Sequence, residues 1–246
     1  MTERDEPLPQ RRPAWVVRTL TAEGGVLGAF LAVAVLAFLF WRLADEVLEG
    51  GTARLDDAVL LWFREPGRPN DLWGPPQFEE LVRDLTSLGS FGCLFLIVAA
   101  ACLYLLFDRR PWNALFVSAA AISGAVVSTL LKGIFERQRP GLEHVEVFTA
   151  SFPSGHAMLA AVIYLTLGAL LARAAKTRRL KLYFIGLALF ITLLVGVTRL
   201  YLGVHYLTDV LGGWCLGAAW ALLCDIVQQL TLGRFNRHEP EAAPRV

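Results

Sequence analysis

The chain has 246 residues, of which 55% are hydrophobic, and its mean hydropathy is +0.50. Soluble domains are usually about 45–50% apolar and lack long uncharged stretches, so the composition excludes an ordinary soluble domain. The formal net charge is only +1, so the overall charge says nothing about partners. The basic amino-terminal arm either marks the cytoplasmic side, which we favour, or binds nucleic acid or anionic lipid, and we expect no nucleic-acid partner.

The two ends of the chain differ in composition from the middle. Residues 1–20 are polar and contain three prolines, which predicts an arm outside the membrane. Residues 233–246 are similarly polar and predict a tail. Residues 21–232 are expected to form one membrane domain, whose motif-bearing core covers about 85–230.

Six hydrophobic runs follow one another in this domain. Crossing the hydrocarbon core of a bilayer takes about 17–25 helical residues. Three uncharged runs meet that length, a fourth lies at its lower limit, and two shorter runs begin just after polar residues that we interpret below as functional. In chain order the runs are Gly24–Trp41, Leu85–Phe107, Pro111–Leu131, Ala157–Ala172, Leu182–Thr198 and Val210–Cys224. We therefore predict an all-α bundle of six transmembrane helices, whose first helix is retained rather than cleaved as a signal peptide.

The segment between the first two runs carries its own helical pattern. Leu55, Val59 and Trp62 recur at helical spacing beside Asp56 and Asp57, as in an amphipathic helix at a membrane interface. Glycines and prolines then break the chain, and a second short helix is predicted near 77–84. These interfacial helices either connect the spans only or also shape a lateral entry for a lipid.

The distribution of charge predicts the orientation in the membrane. With six spans, both termini and the alternate loops lie on one side, and that side holds 14 of the 23 basic residues. The opposite stretch, Arg42 to Asp84, holds five basic and ten acidic residues. Because positive charge marks the cytoplasmic side, we expect a cytoplasmic arm and tail, with the polar motifs on the outer face.

His205 and Asp209 form the first candidate pair. Their separation of four places both side chains on one face of a helix. A carboxylate beside an imidazole fixes its tautomer and stabilises its positive charge, which prepares a histidine as nucleophile or base. Alone, the spacing is equally typical of a structural hydrogen bond.

The sequence Pro153-Ser154-Gly155-His156 precedes an apolar run. Serine is a favoured helix N-cap and glycine permits close backbone approach. The first amides of such a helix attract an anion, and His156 lies in this first turn. The alternative is an ordinary capped helix start.

Three cations lie at the outer boundary: Lys132 and Arg199 at ends of predicted spans, and Arg139 seven residues after Lys132. Such residues often extend only to the headgroups. Their position opposes the topological charge bias, however, and arginine offers a bidentate fork for phosphate. The intervening Glu136 and Arg137 are expected to face solvent or to pair with each other.

Together these three segments resemble the tripartite signature of the type 2 phosphatidic acid phosphatase superfamily. The matching parts are Lys132-x6-Arg139-Pro140, Pro153-Ser154-Gly155-His156 and Arg199-x5-His205-x3-Asp209. The resemblance extends from about Leu85 to Leu230. It departs at Thr198, where the family usually has serine, and threonine keeps the hydroxyl.

The resemblance implies a bacterial integral-membrane lipid phosphatase of the cell membrane that needs no metal and no cofactor. It assigns catalysis to His205 as nucleophile, Asp209 as its orienting carboxylate and His156 as acid and base. The resemblance assigns phosphate binding to Lys132, Arg139, Ser154, Gly155 and Arg199. Its partners are then the bilayer and a lipid phosphate, such as phosphatidic acid, phosphatidylglycerol phosphate, a lysolipid phosphate or undecaprenyl diphosphate.

Three other classes share parts of this pattern. Vanadium haloperoxidases carry the same motifs but are largely soluble, which the six spans disfavour. A lipid-linked phosphotransferase would pass the phosphoryl group to a second acceptor rather than to water. A non-catalytic lipid-binding protein is disfavoured because every candidate site residue is present.

Overall fold

A computed structural model describes the backbone of residues 14–141 and 149–235 and the side chains of residues 25–141 and 149–231. Most of the predicted arm and tail therefore lies outside the described residues. The first helix begins at Ala14, within the predicted arm of residues 1–20.

The described part of the chain is almost entirely helical, as predicted. Between α2 and α3 it adds an antiparallel hairpin of β1 (Arg64–Glu65) and β2 (Arg68–Leu72), in the stretch that the glycines and prolines predicted only as a break. The helices are α1 (Ala14–Leu48), α2 (Ala53–Trp62), α3 (Pro76–Thr86), α4 (Phe91–Phe107), α5 (Pro111–Phe135), α6 (Gly155–Ala174), α7 (Arg178–Tyr201) and α8 (Leu207–Phe235).

Five described helices, α1, α5, α6, α7 and α8, are long and apolar enough to cross a membrane. The predicted second span is broken. A 3₁₀ turn over Ser87–Gly89 separates α3 from α4, and the two helices meet at 49°. Helix α4 starts anew after the break, because the Ser90 hydroxyl accepts the backbone N–H of Cys93 and caps it. The protein is therefore a multi-pass membrane protein with five unbroken spans and a sixth if the bent pair crosses as one.

Helix α6 lies at the centre of the bundle. It packs against α5, α7 and α8, while α1 covers α8 and α4 covers α5. Glycines allow α8 to approach α6 closely. A Cβ at Gly213 would lie only 2.7 Å from the carbonyl oxygen of Ser154. This contact sets the start of α6 directly beside the start of α8.

The segment between α1 and α4 is anchored on the end of α7. The predicted interfacial helices correspond to α2 and α3. Arg64 donates from Nη1 to the carbonyl oxygen of Tyr201 at 2.8 Å, and the Tyr201 hydroxyl donates to the carbonyl of Trp73 at 2.8 Å. One end of the bundle thus gathers the last residues of α5 and α7, the first residues of α4, α6 and α8, and the interfacial segment. The candidate site residues all lie at this end.

Candidate active site

The start of α6 provides an anion-binding geometry. Ser154 occupies the N-cap position, as predicted, and its backbone N–H donates to the carbonyl oxygen of Asp209 at 2.9 Å. Its hydroxyl does not cap the helix. This oxygen is buried and has no hydrogen-bond partner among the described residues. A buried hydroxyl without a partner costs free energy unless a ligand satisfies it. Next to it, Gly155 lies against the side chain of Lys132. A Cβ at this position would lie 3.4 Å from Lys132 Cε, in van der Waals contact.

His205 and Asp209 are in contact, although not on one helix face as predicted. Helix α8 begins at Leu207, so His205 lies in the preceding turn. The two meet because the Asp209 carboxylate folds back over the helix start, where it accepts the backbone N–H of Tyr206 at 2.8 Å. This is the geometry of an acidic residue in the first helical turn that caps the backbone before it. His205 Nδ1 lies 3.3 Å from Asp209 Oδ2, a position that favours the proton on Nδ1 and leaves the lone pair of the neutral ring on Nε2.

The three predicted cations lie near this pair, close enough to interact electrostatically with His205 or Asp209. Lys132 Nζ donates to the carbonyl of Ala150 at 2.6 Å. Arg139 donates from Nη1 to the carbonyl of Val204 at 2.8 Å and lies 3.4 Å from His205 Nε2. Arg199 donates to the hydroxyl of Thr86 at 3.2 Å. Backbone carbonyls and a hydroxyl thus hold the three cations at the end of the bundle that carries His205 and Asp209.

His156 faces the same space from the first turn of α6. Its imidazole packs on Gly89, where a Cβ would lie 3.3 Å from Cδ2. It is close enough to Arg199, His205 and Lys132 to interact with each electrostatically. The Thr198 hydroxyl, by contrast, is buried and donates to the carbonyl of Val195 within its own helix at 2.6 Å.

The environment of His205 keeps its imidazole neutral. Burial lowers the pKa of His205 to about 4, against the opposing effect of the Asp209 carboxylate, and the charges of Arg139 and Arg199 lower it further. A neutral imidazole retains the lone pair that a nucleophile needs. At physiological pH the candidate site therefore holds a neutral imidazole near three cations.

This pKa predicts how stability depends on pH. The contribution of neutral His205 is fully present above pH 6.5, its ordinary pKa, and is lost as pH falls through about 4, because only the unfolded chain is then readily protonated. The shift corresponds to roughly 3 kcal/mol. We expect the Tm difference between wild type and His205→Asn, which does not titrate, to change across this window in detergent. A pH-independent difference would contradict the neutral assignment.

Four residues that the sequence did not single out as site residues form a hydrogen-bond network that includes Asp209. The Ser151 hydroxyl donates to Asp209 Oδ2. Arg137 donates to Asp209 Oδ1 at 2.6 Å and to Asp56 Oδ2 at 2.7 Å. Thr208 also binds Asp56, through its backbone N–H at 2.9 Å and its hydroxyl at 2.7 Å. The expectation that Arg137 faces solvent or pairs with Glu136 is therefore wrong, because two buried carboxylates bind it instead.

The arrangement suits transfer of a phosphoryl group. It combines a buried neutral imidazole, a carboxylate in contact with it, a second imidazole nearby, and cations that can hold phosphate oxygens. The Ser154 hydroxyl and the first amides of α6 add neutral donors.

Comparisons with known proteins agree with this chemistry. The family model described as the PAP2 superfamily matches residues 112–231, which include every predicted site residue. Phosphatidylglycerophosphatase B of Bacillus subtilis strain 168 is 35% identical over 147 residues, covering 58% of this chain and 71% of that protein. The crystal structure of a transmembrane PAP2-type phosphatidylglycerolphosphate phosphatase from Bacillus subtilis superposes with a TM-score of 0.71 at 27% identity, covering 85% of this chain and 98% of that one. The resemblance drawn from the motifs is thereby confirmed, and the chain belongs to the PAP2 superfamily of phosphatases.

Proposed function

We propose that this protein hydrolyses a terminal phosphomonoester of a membrane phospholipid of the phosphatidylglycerophosphate class, through a phosphohistidine at His205. The observation that carries the proposal is the buried, neutral His205, held by Asp209 inside a cage of three cations. Both relatives described above bear names for activity on phosphatidylglycerophosphate, which supports this lipid class over diphosphates.

The phosphate group is bound between α6 and the cations. Lys132, Arg139 and Arg199 neutralise its negative charge, and the Ser154 hydroxyl donates to one of its oxygens. The backbone at Gly155 approaches it without side-chain obstruction. Such donors stabilise the additional charge that develops on phosphoryl oxygens during transfer.

The reaction then proceeds in two steps. His205 Nε2 attacks phosphorus as the bond to the lipid oxygen breaks, and His156, whose protonated form the negative charge of the bound phosphate stabilises, gives its proton to that leaving oxygen. Asp209 stabilises the positive charge that develops on His205. In the second step His156 takes a proton from water, the water oxygen bonds to phosphorus, and the N–P bond breaks to release inorganic phosphate.

An apolar groove supports a lipid as the substrate. It lies between α4, α5 and α6, has a volume of about 410 Å³, and is lined almost wholly by apolar side chains. Leu159, in its lining, follows His156 by three residues and so shares its helix face. Phe91 lines the groove at the start of α4. A phosphate held at the site thus places acyl chains along a surface that continues into the bilayer.

We also infer that the site opens to the outer face of the cell membrane. Basic residues concentrate at the opposite end of the bundle, at Arg109 and Arg110 after α4 and at Arg178, Arg179 and Lys181 at the start of α7. Positive charge at that end supports cytoplasmic termini.

The test is phosphate release by the detergent-purified protein, with EDTA present, from phosphatidylglycerophosphate, phosphatidic acid, a lysolipid phosphate and undecaprenyl diphosphate. We expect release that is fastest from phosphatidylglycerophosphate and absent in His205→Ala. Transfer of the phosphoryl group to a lipid acceptor without release of inorganic phosphate would instead indicate a phosphotransferase. Binding of these lipids by the folded protein with no turnover would indicate the non-catalytic function.

A further inference from the structure

A buried ion network connects the interfacial helix α2 to the candidate catalytic carboxylate. Asp56, on α2, and Asp209, on α8, are both 0% exposed, and the guanidinium of Arg137 bridges them. The same guanidinium lies 4.4 Å from the ring centroid of Tyr206. Asp56 precedes the stretch matched by the family model, residues 112–231. A part of the chain outside that stretch thus contacts the surroundings of the site.

The network divides the two oxygens of Asp209 between different partners. Oδ1 accepts from Arg137, whereas Oδ2 faces His205 and accepts the Tyr206 N–H. A carboxylate bound from both sides cannot rotate about its terminal bond without losing charged hydrogen bonds. Arg137 therefore fixes which edge of the carboxylate the imidazole faces.

Asp56 fixes Arg137 in turn. It binds the second terminal nitrogen of the guanidinium, and it also holds the backbone N–H and the hydroxyl of Thr208, the residue before Asp209. Burial alone would lower the pKa of Arg137, but the Asp209 and Asp56 carboxylates outweigh it and raise that pKa. One permanent cation thus separates two buried carboxylates that would otherwise repel each other.

We propose that Arg137 and Asp56 are positioning residues, which act through Asp209 to hold His205 in the orientation and tautomer needed for attack. Helix α2 is consequently part of the active-site framework rather than only a connector. The kinetic consequence rests on the proposed phosphatase function, whereas the effect on the imidazole does not.

Three variants test the kinetic consequence. Arg137→Lys keeps the charge, but one ammonium cannot reproduce the fork that bridges two carboxylates. Asp56→Asn removes the second carboxylate, and Thr208→Val removes one hydroxyl with little change of shape. We expect kcat to fall about 100-fold in the first two, as for a displaced catalytic group, and less in Thr208→Val, with KM little changed.

The matched control is Arg173→Gln. Arg173 also pairs with an aspartate of α8, Asp225, but at the opposite end of the bundle. We expect this variant to lower Tm and leave kcat unchanged. Full activity in folded Arg137→Lys and Asp56→Asn would overturn the kinetic part, provided that wild type shows release that depends on His205.

A spectroscopic measurement tests the inference without turnover. The chain has four histidines, so ¹⁵N-histidine NMR can resolve His205, assigned by its loss in His205→Ala. We expect the Nδ1–H tautomer in wild type and in Arg173→Gln, and a mixture of tautomers in Arg137→Lys and Asp56→Asn. A wild-type His205 signal in both folded network variants would overturn the positioning role, even if the proposed phosphatase activity were absent.

Discussion

Replacing His205 with alanine is expected to abolish phosphate release, with a loss in kcat of about 10⁵-fold or more. The reason is that Nε2 is the only atom in the proposed mechanism that bonds to phosphorus before water does. The cations and the start of α6 remain in the variant, so substrate should still bind. The measurement is release of labelled phosphate together with lipid binding by the same preparation.

The covalent intermediate provides a second measurement on the same variant. Wild type mixed with ³²P-labelled lipid and quenched in base should retain label on the protein, and acid should release it, as expected for a phosphoramidate. His205→Ala should retain none. His238→Ala, at the predicted tail, is the control and should match wild type in both assays. Full turnover in His205→Ala would exclude the phosphohistidine mechanism.

Much of the fold could be predicted because its signal is local in sequence. A bilayer demands about 20 apolar residues for each helix, and runs of that length are visible in composition alone. The candidate site residues Lys132, His156 and His205 each lie at the end of a hydrophobic run on the same predicted side. Alternation of the spans therefore predicts that they lie near one another, and the structure places them at one end of the bundle, while their catalytic roles stay a prediction.

Other features could not be predicted, and two of them depend on contacts between distant parts of the chain. Asp56 and Thr208 are 152 residues apart, and nothing in the amphipathic pattern of α2 distinguishes a buried aspartate from one that faces water. Arg137 lies among exposed polar residues in sequence, so its bridge between two carboxylates gave no local signal. The break before α4 was missed because Gly89 and Ser90 are uncharged and do not interrupt a hydropathy run.

The polar contacts around Asp209 also explain how this end of the bundle tolerates buried charge. A lone carboxylate without exposure would be costly in a membrane protein. Here the charge is distributed over hydrogen bonds from Ser151, Arg137 and the backbone of Tyr206 as well as His205. The same contacts that make burial tolerable also restrict the orientation of the carboxylate, so we expect stability and the proposed catalysis to depend on the same groups.

Asp209→Asn is expected to lower kcat by about 10⁴-fold, by analogy with the carboxylate of a serine-protease triad. An amide has one acceptor oxygen and presents N–H groups where the carboxylate accepted hydrogen bonds, so at least one donor among His205, Arg137 and Ser151 is left without an acceptor. The wrong imidazole tautomer then becomes accessible, and the positive charge on His205 during attack loses its counterion. KM should change little because the phosphate-binding cations remain.

The variant should also be less stable, which separates Asp209 from a residue that acts in the chemical step alone. Arg137 keeps Asp56 as a partner but loses its second carboxylate, and removing one member of a buried ion pair typically costs about 3–5 kcal/mol. Tm and kcat measured on one preparation decide between the roles. A lower Tm with unchanged kcat would reduce Asp209 to a structural residue. A large loss in kcat with the His205 tautomer mixed in the ¹⁵N spectrum would place its effect on the orientation of the nucleophile.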